Sequence, residues 1–300
     1  MTTRGLFAVP GPLSRRLLVA AAILFAVSSG AALPAPASAP APFPVPAPAA
    51  PTGPGSPRPA AAAADEEQGL RSLFGSENRV IRTCEKVVAV TFNAAWNDAG
   101  LDRVLGELAR RRTPAAFFLT GEFADRNPHV VRRIAAAGHG LGNHSYSHPF
   151  FKDLTAAGRA REVLAADRAL RAAGAGPART PFFRFPYGET SPAHIEEVNA
   201  LGLADVEFTT DTNGWKGTKG GMTVDRAVRR TLDALRPGAI VQMHVGAADG
   251  GSEVIDAEAL PLVLDAFTAR GYRVIDLRAV LRGAVGGGRD AAEGTCPSGR

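Results

Sequence analysis

The chain has 300 residues, a formal net charge of +5 and two cysteines. Its positive charge is mostly Arg, interspersed with acids and with no basic run threaded by aromatics. That pattern excludes a nucleic-acid interface and leaves at most weak attraction to anionic wall polymers.

Residues 1–32 open with Arg4, Arg15 and Arg16 and no acid. They continue as an apolar run from Leu17 to Val27 and end in small residues. These are the three parts of an export signal, and the apolar run is short against the roughly 20 residues of a membrane span. Secretion with cleavage around residues 30–39 is expected, a retained anchor being the alternative. No Cys follows the segment to carry a lipid. Residues 33–64 are dominated by alternating Pro and Ala, which gives no apolar face to bury and predicts an extended, semi-rigid spacer, the linker being taken as 33–78. One domain is predicted over residues 79–285, followed by a tail at 286–300. Cys84 and Cys296 lie near its two ends, and in an exported protein an isolated pair predicts an intrachain disulfide.

Within the domain, Lys86–Phe92 predicts a strand and Leu101–Arg112 a helix. Strand Ala115–Leu119 and helix Pro128–Ala137 follow, then strand Gly140–His144 and helix Ala156–Ala173. Strand Phe182–Phe185 and helix Pro192–Leu201 come next, then strand Val206–Thr210 and helix Val224–Leu235. Strand Ala239–His244, helix Glu258–Arg270 and strand Arg273–Asp276 complete the series. Such alternation of apolar strands and amphipathic helices predicts an α/β fold with parallel strands buried on both faces, in a closed or nearly closed barrel.

The polar motifs all follow strands, where the loops of a β/α barrel share one face. His144 and His148 stand four apart in Asn143-His144-Ser145-Tyr146-Ser147-His148-Pro149. On a helical turn, two imidazoles so spaced can grip one divalent ion. In Arg184-Phe185-Pro186-Tyr187-Gly188, Pro fixes the backbone and Gly admits a close main-chain N–H, as an oxyanion requires. Arg184 is placed to orient a carboxylate or substrate group. His244 is a candidate general acid. Trp215 reads either as an apolar wall for a small acyl group or as core filling.

These pieces, VAVTFNAAW, TPAAFFLTG, AAAGHGLGNHSYSHP, FFRFPYG, TDTNGW and IVQMH in that order, resemble the NodB-homology polysaccharide deacetylases, carbohydrate esterase family 4. The resemblance implies a distorted (β/α)7 barrel that removes N-acetyl groups from aminosugar polysaccharide such as peptidoglycan or chitin, using Zn2+ or another divalent metal. It makes His144 and His148 metal ligands, lends the Tyr187 N–H to the oxyanion and gives Arg184 the base to orient. Trp215 with Pro186 would meet the substrate, and His244 would protonate the departing amine.

Two departures follow. The family's TFDDGP motif carries the general base and a third metal ligand on its two Asp residues. Here those positions are Asn93 and Ala94, an amide that takes no proton near neutrality and a side chain with no donor. Asp98 is the candidate replacement ligand, helix-start capping being its other reading, and Asn93 could offer its carbonyl oxygen. The Asp that precedes the motif's Trp and polarises the catalytic His is Gly214, with Asp211 nearby as a substitute. The expectation is a secreted metal-dependent deacetylase with an atypical site, the alternative being a catalytically impaired glycan-binding relative.

Overall fold

The computed structural model describes residues 59–247 and 253–283. The predicted export signal and Cys296 lie outside them, and with Cys296 the Cys84 pairing. The predicted spacer enters the described residues as a helix, α1 (Pro59–Arg71). At residue 59 the Pro–Ala alternation gives way to a run of Ala, the best helix former, with Pro at the tolerated first position. Leu70, Leu73 and Phe74 then pack on the core, so the folded domain begins earlier than residue 79.

Strand β1 (Val87–Ala94) is buried along its whole length. Val88, Val90, Phe92 and Ala94 belong to the apolar layer beneath the surrounding helices, while Val87 and Ala89 face the opposite, inner cluster. Side chains alternate across a strand, and this strand needs apolar groups on both sides. α2 (Leu101–Arg111) covers the outer face with Leu101, Val104 and Leu108. Then come β2 (Ala116–Leu119) and a short helix absent from the sequence prediction, α3 (Gly121–Arg126). Its start is set by Thr120, whose hydroxyl accepts the Phe123 N–H at 3.2 Å. α4 (Pro128–Ala136), β3 (Gly140–Asn143), α5 (Ala156–Ala172), β4 (Arg179–Phe183) and α6 (Pro192–Ala200) follow.

The predicted strand 206–210 is instead two short pieces, β5 (Ala204–Asp205) and β6 (Thr210–Asp211). β5 pairs with β4 and β6 with the next strand, so the chain leaves one sheet edge and rejoins at the other. α7 (Val224–Asp233), β7 (Ala239–His244), α8 (Ile255–Ala269) and β8 (Arg273–Val274) finish the series. The order β5-β4-β3-β2-β1-β7-β6, with β8 beside β1, is that of a parallel sheet curved into a distorted barrel whose end strands are not paired with each other. Register places Asn93 opposite His244, and Leu119 opposite Asn143. The C-terminal ends of β1, β3, β4, β6 and β7 therefore deliver Asn93, His144, Arg184, Asp211 and His244 to one edge.

Candidate active site

A cleft of about 330 Å³ opens at that edge, lined by Asn93, Ala94, Trp96, His144, His148, Tyr187, Asp211, Trp215, Gln242 and His244, among others. The two imidazoles do meet, with ring centroids 4.8 Å apart at 76°. A helical turn does not bring them together, contrary to the sequence reading. Ser145 and His148 both adopt left-handed backbone, at φ 64° and 60°. Each such residue costs on the order of 1 kcal/mol and persists only where its surroundings dictate it. Glu162 of α5 supplies the constraint, its carboxylate accepting the Tyr146 N–H at 2.9 Å, the Ser147 N–H at 2.8 Å and the Ser147 hydroxyl at 2.9 Å. Asn143 accepts the Ser145 N–H at 3.0 Å, and the Ser145 hydroxyl accepts that of His148 at 3.1 Å.

Arg184 anchors the floor with no exposed surface. It donates to the carbonyls of Val206 and Glu207, at 2.9 and 3.1 Å, and to Thr91 Oγ1 at 3.0 Å. Its Nη1 also donates to Asn93 Oδ1 at 2.9 Å. Desolvation lowers the guanidinium to about 10, against the favourable charges of Glu207, Asp205 and Asp211. Asp205 and Glu207 are fully buried neighbours of this group that sequence reading missed. Glu207 Oε1 accepts the Phe185 N–H at 2.9 Å, while burial pushes both carboxyls upward.

With Oδ1 held by Arg184, the Asn93 amide can only present its NH2 group to the cleft. That group lies 3.1 Å from His144 Nε2 and donates to Gln242 Oε1 at 3.1 Å. His144 Nδ1 is 2.8 Å from the Arg184 carbonyl, which only an N–H can satisfy, so Nε2 carries the lone pair and accepts from Asn93. Burial first, and then the neighbouring His148, hold the His144 imidazole well below its ordinary range; burial takes His148 down to about 4. Both rings are neutral at pH 7.

Neutral imidazoles suit Zn2+, but the rest of the donor set does not fit it. The His144 nitrogen that would face a metal is occupied by the Asn93 amide. Ala94 offers no donor, and among the described residues no group of three His, Cys, Asp or Glu side chains is placed to hold an ion. Asp98, the expected third ligand, does not line the cleft; its carboxylate is turned towards His129, 4.0 Å from Nε2. Five residues of separation from Asn93 carry it past the edge of β1 and onto the surface.

The opposite wall is differently built. His244 Nδ1 lies 3.3 Å from Asp256 Oδ2 and 3.9 Å from Asp211 Oδ1. Gln242 Nε2 donates to Asp211 Oδ2 at 3.0 Å and so links this wall to Asn93. Trp215 stands 6.4 Å from His244 and 5.8 Å from Trp96, between ring centroids, so it lines the cleft and does not fill the core. Tyr187 sits in left-handed backbone at φ 62° and stacks on Phe150 with centroids 3.9 Å apart. Pro186 is buried and does not line the cleft; its part is to set the turn that exposes Tyr187. Asp256, Glu162 and Glu207 belong to no motif of the sequence reading; Trp96 closes the VAVTFNAAW stretch but had no role assigned to it.

Residues 81–206 match the polysaccharide deacetylase family. A chitooligosaccharide deacetylase of Sinorhizobium fredii is 37% identical over 162 residues, 53% of this chain and 72% of the relative. A peptidoglycan-N-acetylglucosamine deacetylase of Bacillus cereus is 29% identical over 63% of this chain and 66% of its own. Among solved structures, BA3943 of Bacillus anthracis, described as a carbohydrate esterase family 4 pseudoenzyme, superposes with a TM-score of 0.59 at 27% identity, covering 66% of both chains. A mutant of that protein, described as having restored enzymatic activity, matches equally well, with a TM-score of 0.59 at 27% identity over 66% of this chain and 68% of its own. With this fold, this order of motifs and these relatives, the chain belongs to the polysaccharide deacetylases of carbohydrate esterase family 4, hydrolases of the carbon–nitrogen bond in N-acetyl groups.

Proposed function

We propose that the cleft takes N-acetylated aminosugar polysaccharide, the substrate class of the named relatives, and that hydrolysis there is strongly attenuated at positions 93 and 94. The observation that carries the attenuation is the Asn93 amide, clamped by Arg184 through Oδ1 and donating to His144 Nε2. A general base must offer a basic lone pair towards the reacting water, and an amide NH2 offers a proton instead. Recognition is supported by the aromatic lining of Trp96, Trp215 and Tyr187 around a polar floor, since flat rings favour the C–H faces of pyranoses. A second reading, a deacetylase that retains useful rates, draws on the His244–Asp256 pair, which still resembles a working acid.

Export belongs to the same proposal. The basic, apolar and small-residue order of the first 32 residues supports it, the Pro/Ala segment would hold the domain off a surface, and a Cys84–Cys296 disulfide would suit the oxidising exterior. N-terminal sequencing of the mature protein tests the cleavage.

Acetate release from chitin oligomers and peptidoglycan fragments, with Zn2+ or Co2+ added, separates the two readings. The expected result is little acetate from the natural chain and clear release from Asn93→Asp/Ala94→Asp. Rates for the natural chain equal to those of the double variant would remove the attenuation. Absence of glycan binding by calorimetry would remove the recognition.

A further inference from the structure

Gly214 stands where the family resemblance implies a carboxylate facing the catalytic histidine, and the space it vacates is not empty. A Cβ added to Gly214 would lie 2.2 Å from Asp256 Oδ1, 2.3 Å from its Cγ and 2.5 Å from its Oδ2. No side chain at 214 can coexist with Asp256 as it stands. The carboxyl group in that volume arrives from another element, the first turn of α8, forty-two positions further along the chain.

Asp256 has no exposed surface. Its Oδ2 accepts the His244 backbone N–H at 2.7 Å and lies 3.3 Å from the same residue's Nδ1. A carboxylate oxygen can only accept, so the ring proton sits on Nδ1 and Nε2, across the ring, is left for the cleft. The α8 N-cap, Val254, provides no side-chain acceptor, and the free N–H groups of that first turn favour an anion beside them. Asp211, the substitute suggested by sequence, is farther from Nδ1 at 3.9 Å and already engaged. It accepts the Asn213 N–H at 2.7 Å and the Gln242 amide at 3.0 Å.

We propose that Asp256 is the positioning residue of His244, supplying from α8 the carboxylate that position 214 no longer carries. It fixes the imidazole with its proton on Nδ1 and Nε2 presented to the ligand's amide. Only the identity of what Nε2 meets rests on the glycan reading; the pairing itself does not.

The test is ring-nitrogen NMR of the full chain labelled with 15N-histidine, the His244 signals being identified by their loss in His244→Gln. The natural chain is expected to show the Nδ1–H tautomer, Asp256→Ala a shift to mixed tautomers, and Gly214→Asp/Asp256→Ala a return to Nδ1–H. An Nε2–H or mixed population in the natural chain overturns the proposal, and that reading needs no variant to fold. A folded Asp256→Ala with unchanged tautomer, beside an Asp211→Asn that changes it, assigns the role to Asp211 instead. Chitin-oligomer affinity is measured on the same samples. Its absence in the natural chain sinks the glycan reading while the tautomer populations still decide on Asp256.

Discussion

On the β7 wall of the cleft a missing carboxylate has been replaced in space, whereas on the β1 wall two missing carboxylates have not. At Gly214 the lost side chain leaves room that Asp256 fills from a different helix, and His244 keeps an acceptor 3.3 Å from Nδ1. At Asn93 and Ala94 the nearest acid in sequence, Asp98, faces His129 at the surface, and the amide instead donates to His144 Nε2. A carboxylate whose task is to hold a neighbouring side chain can be supplied from any element within reach. One that must bind a metal or take a proton needs a fixed direction as well.

Substitutions on each wall put that contrast to the test. The largest effect is expected at Arg184→Met, which removes the donor to Asn93 Oδ1 and leaves Glu207 and Asp205 buried with only the more distant Arg79 as a cation; unfolding in urea should show a loss of about 3–5 kcal/mol. Gly214→Ala drives a methyl group into Asp256, and overpacking of this kind costs about 1–3 kcal/mol in a thermal melt. Equal stability of that variant would show that Asp256 moves freely and that the β7 wall is no better fixed than the β1 wall. Trp96→Ala removes a ring that is 44% exposed beside Trp215, and chitin-oligomer affinity should fall about fivefold by calorimetry. Asp98→Asn should be nearly silent, within about 0.5 kcal/mol in stability and without effect on glycan binding. A loss of glycan affinity there would return Asp98 to the site and bring the two walls back together.

Much of the fold was legible because its determinants are local. Buried strands such as β1 and β7 announce themselves as β-branched apolar runs, and the helices between them by period and by Pro or Thr at their starts. α1 was masked by the Pro–Ala segment that runs into it, and α3 by its brevity. The strand expected over 206–210 failed because Glu207 is turned inward to the Phe185 N–H while the chain crosses from one sheet edge to the other. For the site, the sequence named the side chains that meet but not the directions in which they point. His144, His148, Arg184, Trp215 and His244 converge as motif order implied. Asp98 and Asp211 were chosen for their nearness along the chain; Asp98 is carried out of the cleft, while Asp211 stays in it, 3.9 Å from His244 Nδ1 and farther than Asp256. Asp256 belongs to no motif, and its contacts with His244 and the collision with position 214 reveal it only in the folded chain.

That collision also has a practical side. An Asp placed at position 214 while Asp256 remains would find its volume taken, and removing Asp256 alone would leave His244 Nδ1 with only Asp211, 3.9 Å away, in reach. The two positions form one steric unit, and a carboxylate is moved from α8 to position 214 most directly by exchanging both residues together.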